Sequence, residues 1–217
     1  ISVVHHSLLL EGNPLTLPET IKIIKHKIIP KEVSLEAVEE VQNYQRAIIE
    51  MVKDSSRKGE ITLPLILQYH KIALQHRPEI AGRIRTVEVR IQGNPLFEIA
   101  KVSTIEARLN RLLEKYYTFR EKKKKSMKEI IQFAAYFHNE FQHIHPFVDG
   151  NSRTTRLLTL YILQAESLPI LDLPLGLLDE YMNLTKKSSQ RIDKDLYAHL
   201  QKMTLWNLKM MNKELKG

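Results

Sequence analysis

The chain has 217 residues and a mass of 25.4 kDa, a size typical of one globular domain. It contains no cysteine, which excludes disulfides, thiolate nucleophiles and cysteine-ligated metal centres and fits a cytoplasmic location. Hydrophobic residues make up 43% and charged residues 27%, which excludes a disordered chain, and no apolar run is long enough to span a membrane. We therefore expect one domain over residues 1–217 and no membrane partner.

The net charge of +8 raises the question of nucleic-acid binding, and the location of the charge bears on the answer. Residues 120–128 carry six basic side chains and one acidic side chain, including the four lysines Lys122 to Lys125. A DNA-binding face normally adds aromatic, Arg, Asn or Gln side chains that read bases, and this lysine run has none. The run is therefore predicted to be a solvated loop, and nucleic acid is not expected as a partner.

Apolar residues spaced three and four apart predict helices along most of the chain. Pro18 suits the first turn of a short helix, and Ser34 and Thr62 are N-cap residues for two longer ones. His70 lies on the apolar stripe of the helix that Thr62 opens. The fold class is therefore predicted to be all-α, with further helices over 104–120, 127–141, 152–165, 175–187 and 192–212.

One segment departs from the helical period. Residues 86–91 alternate polar and apolar side chains, the run Gln92 to Pro95 has the composition of a turn, and Leu96 to Ile99 follows as a second apolar stretch. This pattern predicts one β-hairpin, over residues 84–101, inside an otherwise helical protein.

Residues 138–156, with the sequence HNEFQHIHPFVDGNSRTTR, hold most of the candidate chemistry of the chain. The apolar spacing predicts a helix that ends before the proline and a second helix that starts near Asn151 or Ser152. Gly150 permits a positive φ angle, and Asn151 and Ser152 are residue types that cap helices. The segment 127–166 is therefore predicted to be a helix–loop–helix unit.

The start of the second helix is a candidate anion site, because its backbone N–H groups point outward and the helix dipole favours negative charge there. Arg153 and Arg156 are three residues apart and lie near the same end. Two guanidinium groups near such amides indicate a phosphate site. His145 is then a candidate general base, and Asp149 is a candidate Mg²⁺ ligand, because Mg²⁺ takes one or two carboxylates together with substrate phosphates.

Residues 145–156, HPFVDGNSRTTR, resemble the signature HPFx(D/E)GNGRxxR of the Fic (filamentation induced by cAMP) family. The likeness extends from the N-terminal segment through the predicted hairpin to the helices after the motif. Members of this family are α-helical with a β-hairpin flap beside the active site. Most of those that are understood transfer AMP from ATP to a hydroxyl of a target protein and release pyrophosphate. The resemblance therefore implies a protein adenylyltransferase, which is a nucleotidyltransferase, with ATP as its substrate.

The resemblance also assigns a role to each matching residue. His145 would accept the proton of a Ser, Thr or Tyr hydroxyl on a target protein or on the chain itself. Asp149 would hold Mg²⁺ against the α- and β-phosphates. Arg153 would bind phosphate oxygens, and Arg156 would bind the γ-phosphate. The other nucleotide-binding residues would be Gly150, Asn151 and Ser152 in the anion site and Tyr181 in the adenine pocket.

Ser152 departs from the family signature, because it replaces the second glycine of GNG. A serine is strained there if the position needs a positive φ angle and harmless if the position is helical, and we favour the helical alternative. In the related Doc proteins this position is lysine, ATP binds in reverse, and a phosphate is transferred. Serine lacks that cation, which favours AMP transfer.

Two further segments resemble parts of the family. The predicted hairpin corresponds to the flap, whose edge would pair with an extended target segment through Thr86, Val87, Glu88 and Val89. Residues 7–12 resemble the family's inhibitory motif (S/T)xxxE(G/N), which matches here at Ser7, Glu11 and Gly12. This motif implies an N-terminal inhibitory segment over residues 1–30 and autoinhibition by Glu11, whereas an ordinary helix end with Gly12 at its C′ position is the plain alternative.

Three functions remain open from the sequence. The first is adenylylation of a target protein. The second is the reverse reaction, hydrolysis of AMP from a modified protein, with Glu11 aligning the water. The third is a catalytically silent interaction or DNA-regulatory module that uses the lysine-rich loop. A homodimer is compatible with each of them.

Overall fold

The computed structural model describes residues 1–91, 94–188 and 190–216. Helices make up 63% of the structure and no strand occurs among the described residues, which confirms the predicted helical class. The described residues contain nine α-helices: α1 (Ser2–Leu9), α2 (Leu17–Ile21), α3 (Leu35–Ser56), α4 (Leu63–Ala73), α5 (Ile105–Arg120), α6 (Met127–Ile144), α7 (Asn151–Ala165), α8 (Leu178–Leu184) and α9 (Asp193–Glu214).

The helices begin where cap chemistry predicts. Ser34 and Thr62 cap α3 and α4, and each side-chain oxygen accepts a hydrogen bond from the N–H three residues later. Thr16 caps α2, and Pro18 lies in its first turn, where a missing N–H costs nothing. Helix α2 then passes into a π-helical turn, Lys22–His26.

Helix α6 lies at the centre of the bundle and packs against α5, α7 and α9, while α3 packs against α4 and α7. A capping box between Ser126 and Glu129 starts α6. Phe137 and Phe141 are fully buried along its apolar stripe, and each such side chain contributes ~1.5–3 kcal/mol to stability. The helix ends at His145, whose φ of 48° is left-handed, just before the proline. Helix α6, at the centre of the fold, therefore supports residues 145–150, which are called the motif loop below.

Helix α1 places the N-terminal segment beside α7, because it packs against both α3 and α7. Val4 and Leu8 are buried, and His6 Nδ1 lies 2.9 Å from Asp172 Oδ1 in the loop before α8. After α1 the chain turns at Gly12, whose φ is +87°, a conformation that side chains other than glycine seldom adopt. The residues before this turn are thereby placed beside α7.

The predicted β-hairpin is wrong for the described residues. The segment 84–101 is an irregular loop without strand pairing, and Gln92 and Gly93, in the predicted turn, lie outside the described residues. No hydrogen bond between described backbone groups joins residues 86–91 to residues 96–99. The alternating pattern therefore lies in an irregular segment and not in a ladder.

The buried side chain of Arg85 binds backbone carbonyls near the base of each arm. Its Nη1 donates to the carbonyl of Val87 at 3.0 Å, its Nη2 donates to the carbonyl of Ala100, and its Nε donates to the carbonyl of His145 at 2.8 Å. Glu88 adds a carboxylate that binds the same guanidinium at 3.2 Å. The guanidinium thus joins the bases of the two arms, and an isolated two-stranded hairpin is at best marginally stable in water.

The lysine-rich run lies between α5 and α6, where it was predicted to form a loop. Two of its four lysines pair with acidic side chains: Lys122 Nζ lies 3.7 Å from Glu129 Oε1, and Lys125 contacts Glu166. Among the described residues, no helix combines the length and the apolar character needed to cross a bilayer.

Candidate active site

A cleft with a volume of about 350 Å³ opens between the motif loop, the segment 84–101 and the turn after α8. It brings together residues that lie far apart in the sequence, from the N-terminal segment and from the motif. Six of the predicted site residues line it: Glu11, His145, Asp149, Gly150, Asn151 and Ser152.

The motif loop is closed by one side chain. Asn151 Oδ1 accepts a hydrogen bond from the N–H of Phe147 at 2.9 Å, and Asn151 Nδ2 donates to the carbonyl of the same residue at 2.8 Å. The N-cap of α7 is Gly150, with φ +77°, and no side chain caps this helix, so the expectation that Asn151 or Ser152 does so is wrong. Asn151 is instead used to fold the loop back on itself.

Ser152 lies in the first turn of α7 and is not among the described residues with positive φ. The helical alternative therefore holds, and a serine is unstrained at this position.

The ring of His145 faces the cleft with one nitrogen held in place. Its Nδ1 lies 3.3 Å from the carbonyl of Gln142, and a carbonyl only accepts, so Nδ1 carries the proton in the neutral ring. Burial lowers the pKa of His145 to about 4, against the opposing effect of that hydrogen bond. The ring is therefore neutral at neutral pH, and Nε2 is the nitrogen that can accept a proton.

Asp149 is held by both of its carboxylate oxygens. Oδ1 accepts from the N–H of Gly150 at 2.6 Å, and Oδ2 lies 2.8 Å from Arg77 Nη1 and 3.2 Å from Arg153 Nη2. Although burial opposes the effect, Arg153, the Gly150 amide and Arg77 hold the pKa of Asp149 below its usual range. Asp149 is therefore an ionised carboxylate at the edge of the cleft.

The charge of Arg153 is balanced on two sides. Its Nη1 donates to Glu40 Oε1 at 2.9 Å, and its Nη2 faces Asp149. Glu40 also accepts from Asn13 Nδ2 at 2.8 Å, so the chain just after α1 contacts the same carboxylate. The side chain of Arg153 is 4% exposed, and its buried Nε has no partner in the described structure.

Arg156 is occupied by the N-terminal segment. Its Nε donates to Ser7 Oγ at 2.5 Å, and its Nη2 donates to the Ser7 carbonyl at 3.0 Å and to Glu11 Oε1 at 2.7 Å. Lys186 Nζ lies 3.6 Å from the other oxygen of Glu11. Although burial opposes the effect, Arg156 and Lys186 hold the pKa of Glu11 below its usual range. Glu11 is therefore an ionised carboxylate between two cations.

Neither predicted phosphate-binding arginine lines the cleft itself. The carboxylates that do line it, Asp149 and Glu11, contact Arg153 and Arg156 respectively. Each guanidinium therefore meets the cleft through an acidic side chain.

Tyr181 does not line the cleft and instead lines a small, mostly apolar cavity of about 50 Å³. It is 4% exposed, and its hydroxyl lies 2.7 Å from His138 Nε2. The turn that follows its helix supplies Thr185 and Lys186 to the cleft instead. The assignment of Tyr181 to an adenine pocket remains a prediction.

The segment 84–101 forms one wall of the cleft. Thr86, Val87 and Glu88 are exposed and Val89 is half-buried, while Arg90 lines the cleft. Asn94 reaches across to the opposite wall, where its Nδ2 donates to the carbonyl of Lys186 at 3.1 Å.

Among the residues that contact the site but were not predicted from the sequence are the basic residues Arg77, Arg85 and Lys186. Each lies in a loop or turn, and no local motif distinguishes it from a surface charge. The sequence does carry a signal for His70, because a polar side chain on a buried apolar stripe needs hydrogen-bond partners there.

Residues 60–163 match the model of the Fic/DOC family. The chain is therefore similar to this family over just under half of its length. The matched range runs from the loop before α4 to the last turn of α7 and includes the whole motif loop.

Curated relatives extend the likeness beyond that range. Proteins named Protein adenylyltransferase Fic from Drosophila persimilis and Drosophila grimshawi are 28% and 27% identical to this chain over 188 residues, 86% of its length. The chain spans only 36% and 38% of the length of these relatives.

Solved structures share the fold. Fic-1 from C. elegans has a TM-score of 0.84 at 24% identity, with 99% of this chain and 62% of that chain covered. A Fic domain-containing signalling protein from Bacteroides thetaiotaomicron has a TM-score of 0.84 at 21% identity, with 96% and 83% covered. Similarity at this level of identity establishes the fold alone.

Proposed function

We propose that this chain transfers AMP from ATP to a hydroxyl side chain of a protein. The observation that carries the proposal is the state of His145: its Nδ1 is bound to the Gln142 carbonyl, which leaves Nε2 as a proton acceptor in a cleft beside the amides of the motif loop. The family match and the adenylyltransferase names of the relatives support the same activity.

In the proposed reaction, His145 Nε2 takes the proton of a Ser, Thr or Tyr hydroxyl as its oxygen attacks the α-phosphorus of ATP. A new phosphorus–oxygen bond forms to the hydroxyl, the bond from the α-phosphorus to the bridging oxygen breaks, and pyrophosphate leaves. The amides near Gly150 and the guanidinium groups of Arg153 and Arg156 bind the phosphates. Catalysis then rests on orientation and charge stabilisation.

The residues present fit Mg²⁺. No group of three acidic or histidine side chains able to enclose a metal occurs in the described part of the chain, so an ion there would need ligands from the nucleotide. Asp149 supplies one ionised carboxylate at the cleft edge, which is the usual protein contribution to a Mg²⁺–nucleotide site. Bound Mg²⁺ would neutralise phosphate charge, and Asp149 would orient it.

We further propose that Glu11 inhibits the chain, together with Ser7 on α1. The Glu11 carboxylate and the Ser7 oxygens occupy the donors of Arg156 that the γ-phosphate would use. Glu11 also adds negative charge to a cleft that has to accept ATP. The turn at Gly12 lets the chain leave after the carboxylate, and displacement of residues 1–30 would expose the site.

Residues Thr86 to Val89, of which the first three are exposed, are proposed to dock an extended part of the target beside His145. Arg85 supports this role, because it bonds to the carbonyl of His145 and to that of Val87 and so fixes the distance between docking segment and base.

The test is incubation of the chain and of its Glu11→Gly variant with labelled ATP, GTP, CTP or UTP in the presence of Mg²⁺, followed by mass spectrometry of the modified protein. An added AMP on Ser, Thr or Tyr supports the proposal. A protein that binds ATP but never gains AMP, on itself or on proteins of a lysate, contradicts it.

The reverse reaction is the second candidate, because Glu11 lines the same cleft as His145 and could align a water molecule. Incubation with a pre-adenylylated protein distinguishes the two reactions. The nucleic-acid alternative loses support, because Lys122 and Lys125 are paired with acidic side chains. Cytoplasmic location and a homodimer remain predictions.

A further inference from the structure

His70, in α4, contacts the motif loop and the root of the segment 84–101 at once. Its ring is fully buried, with Nε2 2.9 Å from the carbonyl oxygen of Asp149 and Nδ1 2.9 Å from the backbone nitrogen of Gly82. A backbone N–H only donates, so Nδ1 accepts from Gly82, and the proton of the neutral ring lies on Nε2 and is donated to Asp149.

The same ring packs against the motif loop. It stacks on Phe147 with ring centroids 3.7 Å apart and planes 10° apart. A Cβ atom added to Gly150 would lie 3.1 Å from His70 Nε2 and 2.6 Å from Leu74 Cδ2. The peptide group that joins Asp149 to Gly150 is therefore pressed against α4 with no room for a side chain.

Peptide geometry carries this contact into the cleft. The C=O and N–H of a trans peptide point in opposite directions. Because His70 binds the carbonyl of Asp149 on the α4 side, the N–H of Gly150 points away from α4, where it now meets Asp149 Oδ1 at 2.6 Å. Both residues line the cleft. The direction of a donor at the anion site thus depends on a side chain that does not line the cleft.

We propose that His70 is a positioning residue: it orients the Gly150 amide and the Asp149 backbone for phosphate binding and links them to Gly82 at the root of the segment 84–101. The inference rests on the proposed function in so far as the phosphate is that of a nucleotide. The competing view is that His70 only fills the core, in which case its two hydrogen bonds affect folding and nothing else.

Three substitutions separate these views in the Glu11→Gly background. His70→Phe keeps a planar ring against Phe147 and removes both hydrogen bonds. His70→Gln places an amide nitrogen near the position of Nε2 and can restore the bond to Asp149. His70→Asn places a carbonyl oxygen near the position of Nδ1 and can restore only the bond from Gly82. The matched control is Tyr69→Phe, which removes a hydrogen bond of 2.9 Å to Asp54 from the neighbouring residue of the same helix.

The measurements are the Kd for Mg²⁺–ATP by calorimetry, the rate of auto-adenylylation per folded molecule, and the melting temperature. We expect His70→Phe to weaken ATP binding by roughly tenfold, the equivalent of one good hydrogen bond, and to slow transfer by at least as much. His70→Gln should recover most of both, His70→Asn should not, and Tyr69→Phe should lower only the melting temperature.

An ATP Kd and a rate for His70→Phe within about twofold of the parent would overturn the proposal, as would better recovery by His70→Asn than by His70→Gln. If His70→Phe does not fold, nitrogen-15 NMR of histidine in the unsubstituted chain decides: a proton on Nε2 supports the assignment and a proton on Nδ1 overturns it. A Glu11→Gly parent that binds ATP but transfers no AMP would count against the proposed function alone, because ATP binding still tests His70.

Discussion

Arg77 Nη1 lies 2.8 Å from Asp149 Oδ2, so the carboxylate proposed to hold Mg²⁺ already carries a positive partner. The two side chains are 38% and 41% exposed, and an exposed ion pair contributes only ~0.2–1 kcal/mol. The guanidinium is therefore a weak competitor for the metal, and its loop follows directly after α4.

Arg77→Ala should lower the Mg²⁺ concentration needed for half-maximal ATP binding by about 1.4- to 5-fold, because the competing cation is lost. Titration of Mg²⁺ at fixed ATP, followed by fluorescence of a labelled nucleotide, measures it. Arg83→Ala removes the same charge from an exposed position on the same loop and is the control. If the Mg²⁺ requirement shifted equally in Arg77→Ala and Arg83→Ala, the effect would come from net charge and not from the contact with Asp149.

Asp149→Ala should weaken nucleotide binding in the presence of Mg²⁺ and leave binding in EDTA nearly unchanged, because only the metal-dependent part uses this carboxylate. Calorimetry with and without EDTA measures both values. A variant whose response to EDTA matches that of the unsubstituted chain would remove Asp149 from the metal site.

His145→Ala should reduce AMP transfer by about a hundredfold or more, since it removes the proposed base. ATP affinity should stay near that of the parent, because the phosphate donors are other residues. Auto-adenylylation by mass spectrometry and ATP binding by calorimetry give the two numbers. A transfer rate close to that of the parent would end the role of His145 as base.

The rate of AMP transfer should decline only at low pH. The base has to be neutral, and burial lowers the pKa of His145 to about 4, so the neutral form persists above that pH. The rate at saturating Mg²⁺–ATP should therefore stay flat from about pH 8 to about pH 5 and fall only as the pH approaches that pKa. A decline centred on about pH 6.5, the ordinary histidine value, would contradict a desolvated ring.

Glu11→Gly should raise auto-adenylylation by roughly tenfold to a thousandfold, or about 1.4–4 kcal/mol, because it returns the donors of Arg156 to the γ-phosphate. The measurement is the initial rate of AMP incorporation at saturating ATP and Mg²⁺. An unchanged rate would make residues 7–12 an ordinary helix end.

Arg156 separates inhibition from phosphate binding. Arg156→Ala also breaks the pair with Glu11, but it removes the proposed γ-phosphate donor, so it should not activate the chain. The double variant with Glu11→Gly should then resemble Arg156→Ala alone. Activation by Arg156→Ala would place the γ-phosphate elsewhere.

The sequence predicted the motif loop well because its determinants act over a few residues. A proline follows the end of α6, and a glycine with positive φ starts α7. The backbone amides at a helix start favour anions whatever the rest of the fold does. The contact between Glu11 and Arg156 could not be predicted in this way, because the two residues are 145 positions apart. Only the family resemblance, and no local pattern, predicts that they lie close together.

What the sequence missed depends on tertiary contacts. Alternation over residues 86–91 is typical of a strand, but the pattern carries no information about Arg85, whose guanidinium binds the carbonyls at the base of both arms. Arg77 and Lys186 likewise reach acidic partners only after folding. The residue type of Asn151 is typical of a helix cap, whereas its side-chain amide binds Phe147 and closes the motif loop.

The use of Arg85 in place of a ladder bears on how this protein can evolve. Arg85 binds carbonyl oxygens of Val87 and Ala100, and every amino acid, proline included, carries that group. Substitutions at the exposed residues Thr86 and Val87 can therefore accumulate without loosening the base of the segment, whereas Glu88 binds the guanidinium of Arg85 itself. If these positions dock the target as proposed, substitutions there can change the protein target while the proposed reaction centre, anchored from α4 and α6, stays as it is.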